Sequence, residues 1–238
     1  RRTSGSLTRY RADSPYLDQL AHLYHALRPL RFVLDTTSRP PADYVGRLIG
    51  PTACEFVPRR TSPDRLGEQV VAENVHFGLR IDQDGERCLA FDERGRRIEN
   101  ERLLLLVVRY LLAEPSGKTV VLEEETSVET GRRLERLGLK IVRSDSRRAE
   151  MHRLIGRSRA EFGGGPSGRF WYRLAQTEDG AAPDQYTAAM TRSRPRSRRA
   201  SSSHYAADAL LTLSHLLGLL SQSDRPLSSI LDGEGQVA

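Results

Sequence analysis

Apolar residues at helical spacing alternate with short, strand-length apolar runs along this chain. The alternation stops at Glu114-Pro115-Ser116-Gly117 and then begins again. Such a rhythm belongs to α/β folds, because each helix can bury its apolar stripe only against a sheet face. It predicts two consecutive α/β/α sandwich domains with mixed, mostly parallel sheets, at residues 15–113 and 114–238, behind a flexible, Arg- and Ser-rich lead-in at 1–14. Leu17, Leu20, Ala21, Tyr24 and Leu27 mark a first helix, and Leu30–Leu34 a buried strand ending at Asp35. A helix over Asp43–Ile49, a strand over Ala53–Val57, a polar stretch Pro58–Asn74 and a strand over Val75–Ile81 follow. Arg87–Phe91 and Arg96–Ile98 flank the turn Asp92-Glu93-Arg94-Gly95. Leu103–Ala113 is apolar nearly all round and predicts a buried helix. Past the break come a strand (Thr119–Leu122), a helix (Val128–Leu137) capped by Gly138 and a strand (Leu139–Val142). Then follow a helix (Arg148–Ile155), a short strand (Ala160–Phe162), an aromatic strand (Phe170–Leu174) and an apolar helix (Ala206–Leu220).

Composition removes several classes. Arg109 and His215 interrupt the two longest apolar runs, so neither reaches the ~20 residues of a membrane helix. The first residues have no apolar stretch of the secretory kind. Cys54 and Cys88 are the only cysteines, too few for a disulfide scaffold or a cysteine zinc site, and they read as buried strand residues in a reducing, cytoplasmic setting. The six histidines are scattered without zinc spacing, and Trp171 reads as core.

The net charge of +6 invites a nucleic-acid reading. Lys118 and Lys140 are the only lysines, and the arginines are scattered among 31 carboxylates, a pattern of solvated faces rather than a binding stripe. One cluster stands apart in residues 191–203: Arg192, Arg194, Arg196, Arg198 and Arg199, between Ser193, Pro195 and Ser197. It has no interleaved aromatics to stack bases and reads first as an exposed insertion, second as a polyanion site.

Two loops bear chemistry. In Asp82-Gln83-Asp84-Gly85-Glu86-Arg87 three carboxylates alternate with other residues between two strands. A turn there can aim their oxygens at one point, as hard cations such as Mg²⁺ require; equally, the pattern suits an acidic surface turn. In Phe162-Gly163-Gly164-Gly165-Pro166-Ser167-Gly168-Arg169 the glycines permit close backbone approach, and Ser167 and Arg169 are candidates for sugar hydroxyls or phosphate. A tight connection with a flexible tip fits the same residues, and the loop lacks the Walker A ending.

Taken together and in this order, the two loops resemble those of the α-D-phosphohexomutases, a four-domain family that includes phosphoglucomutase and phosphomannomutase. Val75–Arg87 with Asp92–Gly95 is similar to the D-x-D-G-D-R metal loop of the family's second domain. Phe162–Arg169 is similar to the G-E-x-S-G-H sugar loop of its third. Ala207-Asp208-Ala209 stands where D-G-x-A often precedes the closing helix, and the resemblance runs from about Pro15 to Leu231.

The resemblance implies Mg²⁺ on Asp82, Asp84 and Glu86, a phosphate contact from Arg87, and a sugar phosphate bound by Gly164, Gly165, Ser167 and Arg169. The implied activity interconverts hexose 1- and 6-phosphates: a phosphoserine gives its phosphate to the sugar, and the bisphosphate reorients and returns the other. The departures count as much. The T-A-S-H-N-P serine loop and the fourth domain's phosphate loop are absent, Glu86 replaces Asp, Gly165 replaces the loop Glu and Arg169 replaces His. The chain is therefore expected to be inactive alone, either a piece of a mutase, as a start at Arg1 favours, or a decayed relative, as the altered sugar loop favours. The competing reading is a non-catalytic protein binding nucleic acid or another polyanion through Arg192–Arg199.

Overall fold

A computed structural model describes residues 13–174 and 204–234. In chain order the first stretch holds α1 (Asp13–Ala21), β1 (Arg31–Thr36), α2 (Arg39–Ile49), β2 (Glu55–Arg59) and α3 (Leu66–Ala72). It continues with β3 (Phe77–Ile81), β4 (Cys88–Asp92), β5 (Arg97–Ile98) and α4 (Asn100–Leu111). Next come β6 (Thr119–Glu123), α5 (Val128–Arg136), β7 (Lys140–Ser144), α6 (Arg148–Ser158), β8 (Phe162–Gly164) and β9 (Trp171–Leu174). The chain closes with β10 (His204–Ala207), α7 (Ala209–Ser221) and α8 (Leu227–Glu234).

These elements group into two compact units, residues 1–111 with 209–238, and residues 112–208. In the first unit the sheet order is β2-β1-β3-β4-β5; β1 pairs in parallel with β2 and β3, and β4 and β5 are antiparallel. In the second the order is β7-β6-β8-β9-β10, with β6 parallel to β7 and β8, and β9 and β10 antiparallel. Counted along each unit, both follow the order second, first, third, fourth, fifth. The α/β class and the mixed sheets are those the sequence predicts.

Strand alternation divides the first core. Phe32 stacks on Phe77 at 4.9 Å and on Phe56 at 6.1 Å along one sheet face. Val33, on the other, joins Leu66 and Val70 of α3, with Val75 and Phe91. Phe32 and Phe77 are fully buried; each such side chain contributes about 1.5–3 kcal/mol over exposure. In the second unit Val121 packs with Met151 and Ile155 of α6, Ala160 and Trp171, so Trp171 is core.

Four local features differ from the sequence expectation. The polar stretch 58–74 contains α3, which buries only Leu66, Gly67 and Val70. Helix α2 begins at Arg39, because Pro40 and Pro41 sit in its first turn, where a missing N–H costs nothing. Residues 204–207 form β10, held by pairing with β9. The closing helix, which the sequence assigns to the second domain, groups with the first unit: α7 is buried on nearly every side and packs on α4 and on the 3-10 turn His22–Tyr24. No described helix is long and apolar enough to cross a membrane. Residues 192–199, the arginine cluster, lie outside the described residues.

Candidate functional site

In parallel α/β sheets, ligands are met at the carboxyl ends of the strands, where loops face one crevice. Both candidate loops sit at such ends, Asp82–Arg87 after β3 in the first unit and Gly165–Arg169 after β8 in the second.

The acidic loop turns on Gly85, at φ +73°. Asp82 Oδ1 accepts the N–H groups of Glu86 and Arg87 at 2.9 and 3.2 Å, and the Asp82 carbonyl accepts Gly85 N–H at 3.2 Å. An Asp side chain that caps its own turn in this way fixes the loop. Asp84 and Arg87 are exposed, and Glu86 is half-buried. The first N–H of α7, on Ala209, donates to the Gly85 carbonyl at 2.9 Å and ties the loop to that helix. Behind the loop, the buried Cys88 thiol lies beside Thr212, and burial pushes its pKa up to about 12, which excludes it as a nucleophile.

These residues supply the hard oxygen donors Mg²⁺ wants, but as arranged they do not fit the ion. Asp82 Oδ1 is already engaged by two backbone donors. Among the described residues no three Asp, Glu, His or Cys side chains gather into a metal site.

Beside this loop, at the ends of β1 and β3, lies a cluster the sequence analysis did not single out. Asp35 is fully buried; its Oδ1 accepts Thr61 N–H at 3.1 Å, and its Oδ2 accepts from Arg80 at 2.6 Å. Arg80 also donates to the Thr61 carbonyl at 2.7 Å. The ion pair and its hydrogen bonds satisfy each other, as a buried charge requires.

In the second unit the loop is built around Glu123, also not singled out. It ends β6 at 1% exposure. Its Oε2 accepts Ser167 N–H at 2.9 Å, and its Oε1 accepts the Ser167 hydroxyl. Ser167 Oγ in turn accepts Arg169 N–H at 3.2 Å, and Gly168 N–H donates to the Gly165 carbonyl at 3.3 Å. Burial raises the Glu123 pKa, the bonds from Ser167 pull it back, nearby Glu125 raises it further and Arg169 lowers it. Gly164 and Gly165 are buried, whereas Ser167 and Arg169 are half-buried. The structure thus places Gly164 at the end of β8 and Gly165, Ser167 and Arg169 in the loop that follows, with Ser167 facing Glu123. Its readable signal was a carboxylate closing the apolar strand Val120-Val121-Leu122.

Solved structures that share this fold include a phosphoglucomutase/phosphomannomutase family protein and a member of the α-D-phosphohexomutase superfamily. A phosphoglucomutase/phosphomannomutase family protein from Burkholderia thailandensis aligns with 97% of this chain and 48% of its own, at TM-score 0.75 and 18% identity. Aspergillus fumigatus N-acetylphosphoglucosamine mutase, solved with GlcNAc-6P and magnesium, aligns with 91% of this chain and 52% of its own, at TM-score 0.59 and 15% identity. In sequence the chain is similar to phosphoglucosamine mutase of Lactobacillus johnsonii, 27% identical over 158 residues, or 59% of this chain and 35% of that enzyme. The chain thus spans about a third of the length of such curated relatives. No protein-family model matches it.

Proposed function

We propose that this chain supplies the metal-loop and sugar-loop domains of a phosphohexomutase, interconverting the 1- and 6-phosphates of a hexose or aminohexose. The observation that carries the reading is the coincidence of two likenesses. A mutase fold spans 97% of the chain, and an independent sequence likeness to a phosphoglucosamine mutase spans 59% of it. Each candidate loop lies at the carboxyl end of a parallel strand, where α/β sheets receive ligands.

In this reading residues 15–113, with the closing helix that groups with them, carry the acidic loop, and the residues between 114 and that helix carry the glycine-rich loop. Gly164, Gly165, Ser167 and Arg169 meet the sugar, and the Arg87 guanidinium pairs with a phosphate, which suits its fork of donors. Asp82, Asp84 and Glu86 are the residues that would face Mg²⁺, as the magnesium in one solved neighbour supports. Because they do not gather as they stand, no step is assigned to the ion. A cytoplasmic setting fits two buried, unpaired cysteines.

No serine loop of the T-A-S-H-N-P type occurs in these 238 residues. Transfer then requires a phosphoserine from outside them, and the chain alone binds sugar phosphate without turning it over. A coupled assay with glucosamine 6-phosphate and glucose 1-phosphate, primed with bisphosphate, is expected to stay at background while direct calorimetry detects binding. Turnover abolished by Arg87→Ala would overturn the inactive reading; absence of any sugar-phosphate binding would overturn the mutase reading.

A further inference from the structure

We propose that Glu123 is a positioning residue for the glycine-rich loop, holding Ser167 with its hydroxyl proton turned inward, so that Ser167 meets a sugar as a hydrogen-bond acceptor only. The proposal rests on the sugar-binding reading above, but its geometry stands within one unit.

A serine hydroxyl has one proton and two lone pairs. Here the proton goes to Glu123 Oε1, and one lone pair takes Arg169 N–H. One acceptor position remains, which suits a sugar O–H or an ammonium and rejects a group that can only accept. The backbone offers no substitute, since the N–H groups of Ser167, Gly168 and Arg169 are all engaged within the turn.

The sequence accommodates this clamp at Gly165. A Cβ there would lie 2.6 Å from Glu123 Cβ, 2.8 Å from its Cγ and 2.7 Å from its Oε2, closer than any side chain tolerates. A side chain at 165 would force Glu123 or the loop to shift, because the strand has already placed a side chain in that space. Charge matters as well as shape: an ionised carboxylate accepts at both oxygens, whereas an amide must donate at one of them.

The test uses the whole chain, with glucosamine 6-phosphate as the probe. In the ligand-free protein the Ser167 amide proton is expected to exchange slowly. Its NMR shift should follow the titration of Glu123, whose charged neighbours are Arg169 and Glu125. Glu123→Gln should remove that pH-dependent shift, speed exchange at Ser167 about tenfold or more and weaken probe binding about tenfold. Ser167→Ala should weaken binding equally, and the double variant should add nothing. Should Glu123→Gln fail to fold, Glu123→Asp keeps the charge on a shorter arm and should preserve the shift with partial loss of binding. Unchanged exchange at Ser167 in Glu123→Gln, or additive losses, would overturn the proposal. If the wild type binds no probe, the sugar reading falls, and the amide shift and exchange decide the role of Glu123 alone.

Discussion

Asp35 and Arg80 meet at 2.6 Å where β1 and β3 end, with the Asp35 side chain 1% exposed and the Arg80 side chain 18%. Removing one partner leaves a buried charge without compensation, which typically costs about 3–5 kcal/mol, whereas replacing both by apolar groups is often neutral. Arg80→Ala is therefore expected to lower unfolding free energy by about 3–5 kcal/mol in urea, and Asp35→Leu/Arg80→Met by much less. Equal losses in the two would show that the pair is no more than packing.

His215 gives a pH dependence with a definite sign. It lies buried in α7 against Tyr110, 5.8 Å between ring centroids, and its pKa falls to about 4, chiefly through burial and secondarily through nearby His22. Because the folded pKa is below the unfolded 6.5, the unfolded chain binds the proton first. The contribution is complete above about pH 6.5 and is lost as pH falls toward 4, on the order of 3 kcal/mol at most. Chemical denaturation at pH 7 and pH 5 should show a drop that His215→Leu reduces.

Gly165→Ala forces a methyl into the Glu123 side chain. Overpacking of this kind usually costs about 1–3 kcal/mol. Differential scanning calorimetry should show a lower Tm, and Glu123→Ala in the same chain should restore part of it by opening the space. An unchanged Tm in the single variant would mean that the loop moves aside without cost.

For the acidic loop the expected metal affinity is weak, on the order of millimolar, because Asp82 already serves two backbone donors. Mg²⁺ at ten times its Kd should stabilise by about 1.4 kcal/mol if only the folded form binds. Thermal unfolding at matched ionic strength should show a small Mg²⁺-specific rise that Asp84→Asn abolishes. No rise in the wild type would leave the loop an acidic turn.

What the sequence made legible was whatever rests on local pattern. Apart from β10, the strands of both sheets stand out as apolar runs such as Val120-Val121-Leu122, and the strand–turn–strand setting of Asp82–Arg87 follows from its flanks. Helix α3 was hidden because only Leu66, Gly67 and Val70 are buried among polar neighbours. Strand β10 was hidden because His204-Tyr205-Ala206-Ala207 has little strand character of its own and exists by pairing with β9. The capping by Asp82 depends on backbone geometry that residue type alone does not fix. The pairings of Glu123 and Asp35 went unread because their partners, Ser167 and Arg80, are 44 and 45 residues away.

The grouping of α7 and α8 with the first unit has a consequence for how the protein is made. The first unit is written in two pieces, with the whole second unit between them. As the chain is synthesised, β1–β5 and α1–α4 emerge without the helix that covers α4 and the 3-10 turn His22–Tyr24, while the second unit is encoded in one uninterrupted stretch, 112–208. Until Ala209–Ser221 arrives, the apolar face of α4 stands open to solvent and to other chains. A product ending near residue 208 would keep the strands of both sheets but leave one core uncovered.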